Sequence, residues 1–231
     1  VCPQPQGTAP GQRLKYEQYF DYLRANGYEL KISNFQTMAM WNIVYKKGHF
    51  FGKVFWVLYG YLLRTRDLFF LPFYDGIYVF LRVTPFGPPV FETLFRLLSR
   101  KVVYDIDDLV FMNRTSEANR LIARLKGSSK YIYMMKCANH VITCTPYLDE
   151  YVRRYNLQTT DISSTINTDT YIPKPHYSND QRLVIGWSGS FSTSPYLLLL
   201  KDSLLALRQS VDFKLLVIGD ANFKMEGIDV E

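Results

Sequence analysis

Two rhythms of apolar residues alternate along this chain. Short, almost unbroken apolar runs bounded by turn residues occur at Gly76–Leu81 (GIYVFL), Lys101–Ile106 (KVVYDI), Asn139–Cys144 (NHVITC), Arg182–Trp187 (RLVIGW) and from Phe213 (FKLLVIGD). Runs of this length predict strands covered on both faces, as in parallel sheets. Shorter strands are expected at Tyr28–Ile32 and Ile162–Asn167. Between them the apolar spacing turns helical: Gln12–Asn26, much of the aromatic stretch Phe35–Leu71, Val90–Leu98, one or two helices over Ser116–Ala138, Tyr147–Tyr155 and Tyr196–Arg208. The first of these stops at Asn26–Gly27, a common helix ending.

Strand and helix alternate throughout, which predicts an α/β class with parallel sheets. Ile172–Asp180 (IPKPHYSND) carries two prolines and no apolar period, so it reads as a linker. The expected division is therefore 1–175 and 176–231. No internal repeat is evident. Val1–Cys2 followed at once by Pro3 resembles the tail of a buried strand, and the last strand is followed closely by Glu231, so a fragment truncated at both ends is expected.

Composition narrows the class without naming a partner. The chain has 231 residues, 48% hydrophobic and 16% aromatic, which excludes disordered, collagen-like and coiled-coil classes. A formal charge of +6 suits anionic partners such as phosphorylated ligands or an acidic membrane surface. The basic residues are scattered rather than gathered on one face, so no nucleic-acid partner is expected. Three cysteines, Cys2, Cys137 and Cys144, form no metal-type pair and no even disulfide set. That count fits a reducing, cytoplasmic setting, and Val1–Gln4 lacks the basic start and apolar run of a secretory signal.

Four stretches could carry chemistry. Gly7–Arg13 lies between an expected strand and a helix, where first-turn amides can face an anion at the carboxyl edge of a sheet. Arg13 could add a bidentate donor to phosphate, although the same seven residues would serve as an ordinary strand-to-helix turn. The cluster Asp105, Asp107 and Asp108 follows an apolar strand. Carboxylates so close raise one another's pKa unless solvated, paired or used. A general base, a sugar or helix-end hydrogen bond, a divalent metal site or a solvated turn cap are all open. In Ile185–Ser190 (IGWSGS), Gly186, Gly189 and the hydroxyls of Ser188 and Ser190 permit close approach of a phosphate, or simply make a turn.

The fourth stretch is Trp41–Phe73. Its uncharged run Val54–Leu63 is ten residues, short of the ~20 a spanning helix needs. Apolar and aromatic positions flanked by Lys46, Lys47, Lys53, Arg64 and Arg66 fit an interfacial helix on an anionic membrane surface, or a core helix. His49, His140 and His176 enter no triad-like or metal-like spacing, and no Walker loop is present.

Six stretches in order, PQGTAPGQRLKYEQYFDYL, DGIYVFLRVTPFGPP, KVVYDIDDLVF, ANHVITCTPYLDEYV, ISSTINTDTYIP and LVIGWSGS followed by FKLLVIGD, resemble the family 4 glycosyltransferases of the GT-B fold, in particular the bacterial sugar transferases of envelope and exopolysaccharide synthesis. The resemblance implies two Rossmann-like domains facing a cleft, the N-terminal one nearly complete and the C-terminal one truncated. It implies a nucleotide-sugar donor, a lipid-linked or glycan acceptor, no cofactor or metal, and a peripheral position on the inner membrane face. By the same resemblance Gly7, Gly11, Arg13, Gly186, Ser188, Gly189 and Ser190 lie near the donor phosphates, Gln12 and Asp108 near the acceptor, and Asp107 and Asp105 near the reacting sugar. Many relatives carry a histidine near the place of Asp107, which puts a histidine-based role in doubt here. The family's paired glutamates for the donor sugar would lie beyond Glu231.

Two other readings stay open. Asp105-Ile106-Asp107 also resembles the metal-binding Asp-x-Asp of the GT-A fold. A non-catalytic, membrane-docking or partner-binding module on a GT-B-like scaffold would explain an incomplete donor domain.

Overall fold

A computed structural model describes residues 1–44, 46–109, 128–173, 182–189 and 193–231. The chain divides into two compact units, Val1–Tyr171 and Ile172–Glu231.

The first unit is built on a parallel sheet with strand order β1 (Ile77–Phe80), β2 (Val102–Asp105), β3 (His140–Thr143) and β4 (Thr159–Asp161). Helices cover its strands, so their apolar residues are uniform rather than alternating. Val79, Val102, Tyr104, Ile106 and Val141 are fully buried. The sheet continues past β1 through short pairings. Phe80 donates its amide to Val1 O at 2.9 Å, while Cys2 donates to Ser33 O and accepts from Phe35 N, both at 2.9 Å, across a parallel bridge to Asn34. The order in space is therefore 33–35, then 1–2, then β1 to β4. From residues 1–2 the chain runs to one side, then crosses back to β1 on the other. Such a reversal of winding leaves a crevice at the carboxyl edge of the strands.

Helices α1 (Pro10–Lys15) and α2 (Phe20–Ala25) fill the first connection, with a 3-10 turn, Glu17–Tyr19, between them. The single helix expected over Gln12–Asn26 is thus broken at Tyr16 (φ −140°). The break turns the Tyr16 ring onto Tyr78 and Phe80, with centroids at 5.3 and 5.2 Å, so tertiary packing overrides local helix spacing. Tyr28–Ile32 does not form the expected strand; its side chains are exposed or half-exposed and its pairing reduces to the Asn34 bridge.

Helices α3 (Met38–Val44) and α4 (Phe50–Phe70) make the crossover to β1. The remaining helices are α5 (Val90–Leu98), α6 (Ser128–Cys137) and α7 (Pro146–Arg153), the last with Pro146 in its first turn and Thr145 Oγ1 accepting from Leu148 N at 3.2 Å. The part of the expected helix at 116–127 lies outside the described residues. The strand expected at Ile162–Asn167 is displaced upstream to β4. Ile162 N still donates to Thr143 O, but Ile162 and Ile166 are solvent-facing and the chain leaves the sheet there.

Inside this unit a buried ion pair shapes the loop after β1. Lys130 Nζ donates to Thr84 O at 3.0 Å and Phe86 O at 2.6 Å, and lies 3.6 Å from Glu92 Oε1. Glu92 in turn accepts from Thr84 N. Burial lowers the Lys130 pKa, partly offset by Glu92.

The second unit pairs β5 (Leu183–Ser188) with β6 (Phe213–Ile218) in parallel. A further parallel bridge joins Leu215 to Val230. The helix expected at Tyr196–Arg208 starts as a 3-10 stretch, Ser194–Leu200, before α8 (Lys201–Arg208). Leu197, Leu204, Phe213, Leu215, Met225 and Ile228 form its core. Residues 174–180 of the expected linker lie outside the described residues.

Candidate active site

The crevice of the first unit is bounded by the loop leaving Cys2, the loop leaving β1 and the aspartates that end β2. Gln12 shapes the first loop. It is fully buried, its Oε1 accepts from Gln4 N at 3.0 Å, and its Nε2 donates to Gln4 O at 3.1 Å and Glu17 Oε1 at 3.2 Å. The other oxygen of Glu17 accepts from Gly7 N at 2.9 Å. Gly7, at φ +77°, makes the left-handed turn this closure needs. Expected to bind acceptor, Gln12 instead spends its amide on the loop and is a structural staple.

Asp105 is also turned inward. It is 1% exposed, accepts a hydrogen bond from the Tyr78 hydroxyl, and lies 3.7 Å from Lys15 Nζ. That separation is too long for a hydrogen bond but close enough for strong charge attraction. Lys15, itself buried, donates to Thr143 O at 3.0 Å and to Ile162 O, so one ammonium ties the carboxyl ends of β3 and β4 to Asp105. Burial pushes the Asp105 carboxyl up to about 7, against the Tyr78 and Lys15 interactions that lower it. A carboxyl so enclosed cannot touch a ligand; the direct contact expected of Asp105 becomes a supporting role.

Asp107 is the aspartate that reaches the crevice. It is half-buried, and its Oδ2 sits beside Gly11, where a Cβ would approach to 3.2 Å. Cys144 Sγ donates to Asp107 O at 2.7 Å, fixing the backbone. Burial raises its pKa, with Asp108 adding to the rise. Asp108 is exposed and accepts from the amide of Leu109 at 2.7 Å, a turn contact. Arg13 is exposed, and its guanidinium makes no side-chain bond among the described residues. The structure thus brings Gly11 and Asp107 together at the crevice, with Asp105 enclosed behind them, Gln12 beneath the loop and Gly7 at its turn.

Leu81, which follows β1, adopts φ +60°, a left-handed conformation costly for a side chain with a Cβ. Tyr104 holds it there by donating its hydroxyl to Leu81 O at 2.9 Å. Behind the crevice the fully buried Arg64 gathers the strand ends, donating to Val83 O at 2.8 Å and Cys2 O at 2.9 Å and pairing with Asp67 at 3.1 Å. Sequence reasoning missed Lys15, Tyr78 and this use of Arg64. A lysine at helical spacing from Gly11 and a tyrosine inside an apolar strand give little sequence signal until the fold places them opposite Asp105.

In the second unit Gly189 donates to Ile218 O at 3.0 Å, and its carbonyl oxygen occupies the space where a Cβ on Gly219 (φ +112°) would stand. A Cβ on Gly189 would overlap the Trp187 ring. Here the glycines serve close backbone packing. Gly186 and Ser188 are exposed, and Ser190 lies outside the described residues. Among the described residues no three His, Cys, Asp or Glu side chains converge as a metal site.

No protein-family model and no curated protein matches the chain. Among solved structures it is similar to TarM, at 13% identity and a TM-score of 0.42, covering 69% of this chain and 32% of that one. It is also similar to a point mutant of TarM from S. aureus, in complex with fondaparinux, alpha-GlcNAc-glycerol and UDP, at 14% identity and a TM-score of 0.39 over the same shares. The chain spans about a third of the length of these chains.

Proposed function

We propose that the first unit carries the acceptor side of a glycosyltransferase, of the GT-B, family 4 type that the motif order resembles, using a nucleotide-sugar donor and a hydroxyl acceptor on a lipid-linked molecule or glycan. The observation that carries this reading is the Asp107 carboxylate held against the Gly11 side of a stapled glycine loop, at the crevice where the sheet reverses its winding. In the reaction the acceptor oxygen bonds to the anomeric carbon as the bond from that carbon to the donor diphosphate breaks, its electron pair leaving with the diphosphate. The acceptor proton passes to the Asp107 carboxylate, whose raised pKa suits a base. The Arg13 guanidinium and the first-turn amides of Gly11 and Gln12 offset charge on the leaving diphosphate. Asp105, Tyr78 and Lys15 act from behind by fixing the end of β2.

Charge neutralisation is assigned to Arg13 and the loop rather than to a metal held by Asp105 and Asp107. A carboxyl that already faces an ammonium and accepts a tyrosine hydroxyl is poorly placed to ligate a cation. The test is transfer of labelled sugar from a panel of nucleotide-sugars to membrane lipid extract and to soluble glycans, with and without chelator. Transfer that survives chelation is expected. Absence of transfer from every donor to either acceptor class would overturn the reading, and transfer abolished by chelator would overturn its metal-free form.

A further inference from the structure

Helix α4 turns its polar residues inward and its apolar ones outward. Gly60 and the buried pair Arg64 and Asp67 share the side that faces the protein, with Gly60 against the Phe35 ring and Arg64 bonded to Val83 O and Cys2 O. On the opposite side lie Phe51, Phe55, Leu58, Leu62, Thr65 and Phe69, all exposed. An ordinary surface helix shows the reverse arrangement, and a contiguous apolar surface of this extent marks an interaction face.

The spacing of these six points to what covers them. They follow one another at intervals of four, three, four, three and four residues, the repeat that keeps a seam facing a second helix. Thr65 is the polar member, and its hydroxyl already donates to Tyr61 O at 3.0 Å, so covering it strands no donor. The order of sizes also fits its own reverse. Laid antiparallel about a two-fold axis at the level of Gly60, the seam sets Phe51 against Phe69, Phe55 against Thr65 and Leu58 against Leu62 of a second copy. A bulky ring then meets the small threonine, whereas a parallel pair would crowd Phe55 on Phe55 and set Thr65 on Thr65. Charge agrees with the antiparallel choice. Exposed Lys46 and Lys47 precede α4, and Asp75, fully exposed with Arg100 at 3.5 Å, follows it. Parallel pairing would bring the lysines of two copies together, while antiparallel pairing carries them to the Asp75 end of the other copy. The area suffices as well. The five apolar seam residues are 59% to 87% exposed, and with Val54, Tyr59 and Phe70 beside them they present roughly 800 Å² per copy, as in a standard stable interface. A lipid layer would favour neither this pairing of large with small side chains nor the acid at the far end.

We propose that the chain pairs with a second copy of itself through α4, two-fold and antiparallel, with Leu58 and Leu62 at the centre of the interface. The pairing goes beyond the transfer reading and does not rest on it. The test is light scattering of the intact protein over a dilution series spanning the micromolar range, and a mass twice 27.0 kDa is expected at the upper end. Leu58→Asp with Leu62→Asp should raise the dissociation constant at least about a hundredfold. Far-UV circular dichroism should stay unchanged, because both residues are exposed in the single copy. Lys46→Glu with Lys47→Glu should weaken the pair, and adding Asp75→Lys should restore it. Orientation is read by cross-linking with copper phenanthroline. Copies carrying Phe55→Cys, mixed and left to exchange with copies carrying Thr65→Cys, should cross-link more than either variant alone. A single-copy mass at every concentration, a dimer that the Leu58 and Leu62 changes leave intact, or stronger cross-linking within one variant than in the mixture would overturn the proposal. So would a single-copy protein that floats with vesicles of phosphatidylcholine and phosphatidylglycerol through the same leucines, which would give this face to a bilayer.

Discussion

The two strand-to-helix loops Gly7–Arg13 and Gly186–Ser190 look alike as sequence, yet their described parts use glycine for different ends. In the first, side chains shape the loop: Gln12 and Glu17 close it, and Gly11 leaves room for the carboxylate of Asp107. In the second, backbone presses on backbone, with the Gly189 carbonyl occupying the space beside Gly219. A glycine at a strand end is therefore ambiguous until its nearest neighbour is known. A neighbouring carboxylate or an open face leaves room for a ligand, whereas a neighbouring carbonyl or ring uses the space up.

Removing the charge behind the first loop should have the largest effect. Lys15→Ala strands Asp105 in the interior, a loss on the order of 3–5 kcal/mol for breaking a buried pair. Protonation of Asp105 should soften that loss below pH 7, since its carboxyl already sits at about 7. Urea unfolding at pH 5.5 and pH 8, values chosen to bracket about 7, would measure the difference. Next comes Gly219→Ala, just after β6 and against the second loop, where the added methyl meets the Gly189 carbonyl at a left-handed φ. Overpacking of this kind costs about 1–3 kcal/mol or more, and calorimetry should show a lowered transition without any loss of Asp107-dependent chemistry.

A third effect is the pH dependence of stability. Between about pH 4 and pH 7 the native protein keeps a proton on Asp105 that the unfolded chain has released, so stability falls as pH rises through that window. Asp105→Asn should flatten this slope; an unchanged slope would show that Asp105 ionises normally. The smallest structural effect is expected for Gly11→Ala. Its methyl would need the flexible end of Asp107 to yield a few tenths of an ångström, costing about 1 kcal/mol or less. If Asp107 takes the proton, transfer should fall far more than stability does.

Much of this contrast was beyond the reach of pattern reading, for physical reasons. Strands β1, β2 and β3 were legible because unbroken apolar runs have few alternatives inside a covered parallel sheet; β5 and β6 formed where the runs stood, but β5 is largely exposed and β6 is buried on alternate residues, not covered on both faces as expected. The break at Tyr16 and the displacement of β4 were not, since each follows from packing against residues far along the chain. The aspartate cluster was legible as a candidate site. Which aspartate faces inward was not, because it depends on Lys15 and Tyr78, both more than twenty-five residues earlier in the chain. For α4 the aromatic stretch was visible in sequence, but the burial of Arg64 was not, because it rests on the carbonyls of Cys2 and Val83.

The central claim is that Asp107, and not the buried Asp105, meets the acceptor. The most direct measurement is the sugar-transfer rate of Asp107→Asn beside its thermal unfolding. The account predicts a rate lowered by about 10²–10⁴-fold, the usual worth of a positioned base, with a melting temperature close to that of the unaltered protein. A rate within a few-fold of the unaltered protein would contradict it.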